Sequence, residues 1–192
     1  MNALAPFEIS ICGIQELTGH CESGVSHVLS ILDPDWPTPE VFQAFGEHAR
    51  LELRFHDVID ANDADMTAPQ PEHVLNILAF GHRLLGEPGV GTHILVHCHA
   101  GVSRSTASMA LILAQALPHT SADRIFEEVL HIRPEAWPNL RIVEFGDVAL
   151  DRHGELVDAA IRVYRVQLER SQYLATQMRS GGRGREVAAA IG

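Results

Sequence analysis

Apolar and polar residues alternate with period two over residues 7–12, from Phe7 through Ile9 and Ile11, and Gly13 ends the run; this spacing predicts a strand. Residues 14–21 suit a short helix. Residues 25–32, rich in branched side chains and halted by Asp33-Pro34, predict a second strand. Thr38-Pro39-Glu40 reads as a helix start for residues 41–45, with proline at the first position, and residues 51–56 alternate again as a third strand. The stretch 57–71 is polar and carries Asp57, Asp60, Asp63, Asp65 and two prolines, so it predicts a loop. Val74, Leu75, Leu78 and Leu85 give helical spacing over 72–85, and the apolar middle of 93–97 suits a central strand buried on both faces.

Helical patterns follow at 105–117, stopped by Pro118, and at 120–131 and 140–150. A long amphipathic stretch, 155–178, places Leu156, Ala159, Ala160, Val163, Tyr164, Leu168 and Tyr173 on one side. Strands separated by helices, then consecutive helices, predict an α/β fold with a central, mostly parallel sheet flanked by helices. The expected organisation is one domain over 1–152, an amphipathic helix over 153–179 that packs on it or extends it, and a flexible glycine- and arginine-rich tail over 180–192.

Composition narrows the possible partners. With 14 basic against 25 acidic residues, the net charge of −11 argues against nucleic acid or an anionic membrane surface. No run approaches the ~18 apolar residues of a membrane span, and the first residues lack a basic-then-apolar leader, so a cytoplasmic location is expected. Three cysteines form no disulfide framework. Cys12, in a strand, reads as core; Cys21, in a loop, has the option of a reversible disulfide with Cys98 under oxidation.

The chemistry concentrates at 97–105, His97-Cys98-His99-Ala100-Gly101-Val102-Ser103-Arg104-Ser105, between a buried strand and a helix start. Such a turn aims backbone N–H groups and the positive end of a helix at one centre, which suits a phosphate dianion and favours a thiolate nucleophile. Arg104 can fold back to grip two phosphate oxygens, Gly101 permits close approach, and Ser105 can donate to the sulfur. His97 reads as a support of the loop, with His99, Ala100, Gly101, Val102, Ser103 and Arg104 around the substrate. Metal ligation by His93, His97, Cys98 and His99 is disfavoured, because alternate strand residues point to opposite faces; no metal and no cofactor is expected.

The string H-C-x-x-G-x-x-R-S resembles the phosphate-binding loop of the protein tyrosine phosphatase superfamily, in its dual-specificity branch. Arg133-Pro134 to Pro138-Asn139, and the strings HVLSILDP and LRFHD, resemble segments of that branch and of short bacterial tyrosine-phosphatase-like proteins; the resemblance covers roughly 7–150. It implies a cysteine-phosphatase fold, a cysteinyl-phosphate intermediate on Cys98, and an aspartate that protonates the leaving oxygen. The strand end favours Asp57 as that acid. Asp63 and Asp65 have the more usual distance along the chain to Cys98, so Asp63, Asp60 and Asp65 stay open as alternatives. With no lysine in the loop, a phosphorylated protein or peptide is the expected substrate, with a small phosphomonoester or nucleotide as the alternative. A non-hydrolysing phosphate-binding module and a sulfurtransferase are the rival functions.

Overall fold

The computed structural model describes residues 4–60, 65–86, 91–171 and 173–192. Four strands, β1 (Glu8–Gly13), β2 (His27–Leu32), β3 (Ala49–Arg54) and β4 (His93–Cys98), form one sheet in the order β1-β4-β2-β3, every pair parallel. The two inner strands, β4 and β2, are buried along their whole length, whereas β1 and β3 expose their first residues. This is why 93–97 reads as a continuous apolar run while 7–12 and 51–56 alternate.

Side-chain alternation along the strands splits the core in two. Ile94, Val96 and Cys98 face a large cluster built with α1 (Pro71–Gly86), α2 (Arg104–Ala116), α3 (Ala122–Ile132), α4 (Leu140–Ala149) and α5 (Glu155–Arg170). Leu95, Val28 and Cys12 face a smaller cluster closed by Leu17, Phe42 and Phe45. The segments expected as helices at 14–21 and 41–45 are 3-10 helices, Ile14–His20 and Glu40–Ala44. Cys12 is core, with its thiol pushed up to about 12 chiefly by burial, and Cys21 packs in the same smaller cluster, on the opposite face of the sheet from Cys98.

The carboxyl-terminal part departs from the sequence reading. The stretch 155–178 is not one helix: α5 ends at Arg170, Ser171 is extended, and α6 covers Leu174–Ser180, leaving Tyr173 exposed. The segment expected as a flexible tail is folded, with α7 at Gly184–Ile191. Gly182, at φ +76°, turns the chain, and the amides of Gly182 and Arg183 donate to the Arg179 and Met178 carbonyls to close α6. The glycines therefore make a tight reversal rather than a flexible linker. Val187 and Ala190 then enter the main core, where a valine adds about 1.5–3 kcal/mol relative to exposure. Among the described residues no helix is long and apolar enough to cross a membrane.

Candidate active site

All four strands end on the same side, and there the loop after β4 meets the ends of β1, β2 and β3. A cavity of about 460 Å³ opens at that carboxyl edge. Asp33, His56, Asp57, Cys98, Arg104 and Arg183 are among the residues that line it. Parallel sheets gather ligands in this place because loops from separate strands converge there. A roomier cleft of about 680 Å³ opens beside the amino ends of β1 and β4, but its His93 imidazole is already bonded to Ser10 and to the Ser23 carbonyl.

The loop 99–103 is tied from outside through its carbonyls. His99 accepts from the Ile14 amide (3.0 Å), Ala100 from the Arg133 guanidinium (3.0 Å), Val102 from the Trp137 amide (2.9 Å) and Ser103 from the Asn139 amide (3.3 Å). In a planar trans peptide the C=O of one residue and the N–H of the next point in opposite directions. The amides of Ala100, Gly101, Ser103 and Arg104 therefore point away from those partners, toward the enclosed side. None of the four finds a protein acceptor among the described residues. The segment 133–139 thus acts as an outer brace for the loop.

Gly101 is required by this arrangement. Its φ is +72°, and a Cβ there would lie 2.4 Å from the carbonyl carbon of Cys12 and 2.6 Å from the Gly13 nitrogen. Gly101→Ala is expected to destabilise the fold by about 2–5 kcal/mol, from left-handed strain plus overpacking. Urea denaturation checks this. An unchanged midpoint would mean that the loop is not seated against β1.

Cys98 is buried, and its Sγ lies 3.3 Å from Ser105 Oγ in the first turn of α2. Arg104, 3% exposed, spends Nη1 on Asp33 Oδ1 (2.7 Å) and on the Phe55 carbonyl (2.5 Å). Its Nε is buried and has no acceptor among the described residues. A buried cationic donor without a partner is costly, so the site is short of one anionic acceptor. His97 is bonded through Nε2 to Ser30 Oγ (2.8 Å); burial drives its pKa down to about 4, so the ring is neutral at ordinary pH. His99 accepts from the Asp33 amide (3.2 Å) and stacks edge-on with Trp36; burial lowers its pKa, with Asp33 acting in the opposite direction.

Of the loop aspartates among the described residues, only Asp57 lies on the cavity wall. Its Oδ1 accepts from Ser103 Oγ (2.7 Å), Asn139 Nδ2 (2.8 Å) and Arg183 Nη1 (3.3 Å). Asp60 pairs with Arg185 away from the cavity, Asp65 does not line it, and Asp63 lies outside the described residues. Sequence reasoning missed Asp33, Asn139 and Arg183. Asp33 carried one signal, an acidic residue at the carboxyl end of a strand. Asn139, the N-cap of α4, lay in the segment that resembles the dual-specificity branch but was given no role, and Arg183, from the turn between α6 and α7, carried no signal. Among the described residues no group of histidine, cysteine and acidic side chains is arranged to hold a metal.

No family model matches the chain. Dual specificity protein phosphatase 12 of Rattus norvegicus is 26% identical over 159 residues, covering 79% of this chain and 42% of that protein, so the chain spans less than half of its relative's length. Among solved structures, human DUSP28 superposes with a TM-score of 0.57 at 18% identity, covering 80% of this chain and 97% of that one. A human tyrosine phosphatase-like serine/threonine/tyrosine-interacting protein gives 0.57 at 17% identity, covering 79% and 95%. A mouse dual specificity phosphatase complexed with zinc tungstate gives 0.53 at 23%, covering 79% and 87%. The shared architecture is the dual-specificity phosphatase fold.

Proposed function

We propose that the chain, which shares the dual-specificity phosphatase fold and is 26% identical over 159 residues to a dual specificity phosphatase, belongs to the protein tyrosine phosphatase superfamily and hydrolyses phosphomonoesters through a cysteinyl-phosphate on Cys98. The observation that carries this reading is the set of donors left without acceptors around that sulfur: four inward-turned amides and the buried Arg104 Nε. A phosphoryl group supplies the missing acceptors, and its phosphorus then faces the nucleophile.

In the first step the Cys98 thiolate forms the S–P bond as the P–O bond to the alcohol or phenol breaks. Asp57, on the same cavity wall, gives its proton to the departing oxygen. In the second step water attacks phosphorus and passes a proton to Asp57, while the S–P bond breaks. Ser105 Oγ, 3.3 Å away, donates to the sulfur as its charge returns. The loop amides and Arg104 hold the equatorial oxygens in both steps, and Asp33 holds the guanidinium in place for them.

For the substrate we favour phosphotyrosine or mixed phosphoamino acids in a protein or peptide. The loop positions His99, Ala100, Val102 and Ser103 bring no lysine, and Met66, Trp137 and Met178 give the cavity an apolar wall suited to an aryl or alkyl group. The test is metal-free hydrolysis of para-nitrophenyl phosphate, with acid quench and mass spectrometry of the Cys98 peptide. Turnover blocked by vanadate, with a phosphoryl adduct on Cys98, is the expected result. Phosphopeptide binding without phosphate release would make the protein a binding module instead, and sulfur transfer from thiosulfate a sulfurtransferase.

A further inference from the structure

The three donors on Asp57 differ in origin. Ser103 belongs to the phosphate loop and Asn139 caps α4, but Arg183 comes from the turn between α6 and α7, 126 residues along the chain from Asp57. We infer that Arg183 is a positioning residue for the Asp57 carboxyl, so that the carboxyl-terminal helices complete the active site. This rests on Asp57 being the proton donor.

Arg183 is held as a rigid arm. Its Nε and Nη2 bond the two oxygens of Glu186 (2.8 and 2.7 Å), leaving Nη1 for Asp57. Glu186 is fully buried and is itself fixed by the Trp137 indole N–H (2.5 Å) and the Leu140 amide (3.0 Å). Burial opposes the charge on Arg183, yet Asp57 and Glu186 together raise its pKa above the ordinary arginine range. A four-part relay therefore runs from the brace of the phosphate loop, through Glu186 and Arg183, to Asp57.

The consequence is geometric. All three donors bond Oδ1, and among the described residues none reaches Oδ2. Oδ1 is pinned, and Oδ2 is the oxygen left to carry a proton. Asp57 begins a loop, where a carboxyl with only one anchor would sample many rotamers. Three anchors from three elements limit it to one, and misplacement of a catalytic group by about 1 Å can cost around 10²-fold in rate.

The test uses the full chain with Arg183→Gln and Arg183→Lys, on phenyl phosphate (a poor leaving group) and on difluoromethylumbelliferyl phosphate (an activated one). Loss of a positioned acid slows the first step only where the leaving oxygen needs a proton, and kcat/KM reports that step without the hydrolysis of the adduct, which is common to both esters. Arg183→Gln is expected to lower kcat/KM on phenyl phosphate by roughly 10- to 100-fold and on the activated ester by less than about threefold. In an Asp57→Asn background, adding Arg183→Gln should change kcat/KM on phenyl phosphate by less than about twofold. Should the Gln variant not fold by circular dichroism, the Lys variant, which keeps a cation beside Glu186, gives the same comparison with a smaller loss. Equal losses on both esters, or losses that add in the double variant, would overturn the inference while leaving the hydrolase reading intact. A wild type without Cys98-dependent turnover would remove both.

Discussion

Cys98→Ser is expected to reduce hydrolysis of para-nitrophenyl phosphate by roughly 10⁴-fold or more while leaving the anion site in place. The substitution replaces a polarisable, strongly nucleophilic sulfur with a much less nucleophilic hydroxyl oxygen. The cradle does not depend on the sulfur: its carbonyls are tied to Ile14, Arg133, Trp137 and Asn139, and Arg104 is held by Asp33 and the Phe55 carbonyl. A serine hydroxyl at the same place also finds a partner in Ser105, so folding is expected to survive. Inorganic phosphate or tungstate should therefore still raise the melting temperature of the variant, by mass action on the folded state. Residual activity of several per cent would place the nucleophile elsewhere. Loss of the melting shift together with activity would mean that the sulfur shapes the cradle rather than attacking the substrate.

The separation of chemistry from scaffold explains which features could be read from the chain. β4 and α2 are buried over nearly all their residues, and their hydrophobic runs state this directly. The loop between them has local requirements: Gly101 must adopt a positive φ against β1, and a cysteine must sit where a strand hands over to a helix. Such constraints fall within nine consecutive residues and leave a pattern. The place of Asp57 beside the loop was legible for a related reason, because a strand end is a fixed position. Arg183 was not. Its glycine-rich setting, Gly181-Gly182-Arg183-Gly184, has the composition of a linker, and its value depends on Glu186 and Trp137 being buried beside it. Nothing local to 180–185 encodes that burial; it arises when α7 places Val187 and Ala190 in the core. The break between α5 and α6 has the same character, since the apolar stripe continues through a residue, Tyr173, that ends up in solvent.

The Asp57→Asn variant separates the acid from its scaffold. Asparagine keeps Oδ1 as an acceptor for Ser103, Asn139 and Arg183, and replaces only Oδ2, the oxygen without a donor. The amide cannot protonate a leaving alkoxide, so turnover of phenyl phosphate or a phosphotyrosine peptide should fall by roughly 10²–10⁴-fold. Esters whose leaving group departs as a stable anion need little help, and their first step should slow by less than about tenfold. The second step needs a base to take a proton from water, so the variant should also accumulate the Cys98 phosphoryl adduct when fed an activated ester. Acid quench and mass spectrometry of the Cys98 peptide, run beside steady-state rates on both ester classes, reads all three effects. Unaltered turnover on both esters would move the acid to another carboxyl of the loop, and Asp63→Asn, Asp60→Asn and Asp65→Asn would then be the variants to compare. A uniform loss without adduct would mean that Asp57 serves the fold, through its bonds to the phosphate loop and to α4, and takes no part in the proton transfer.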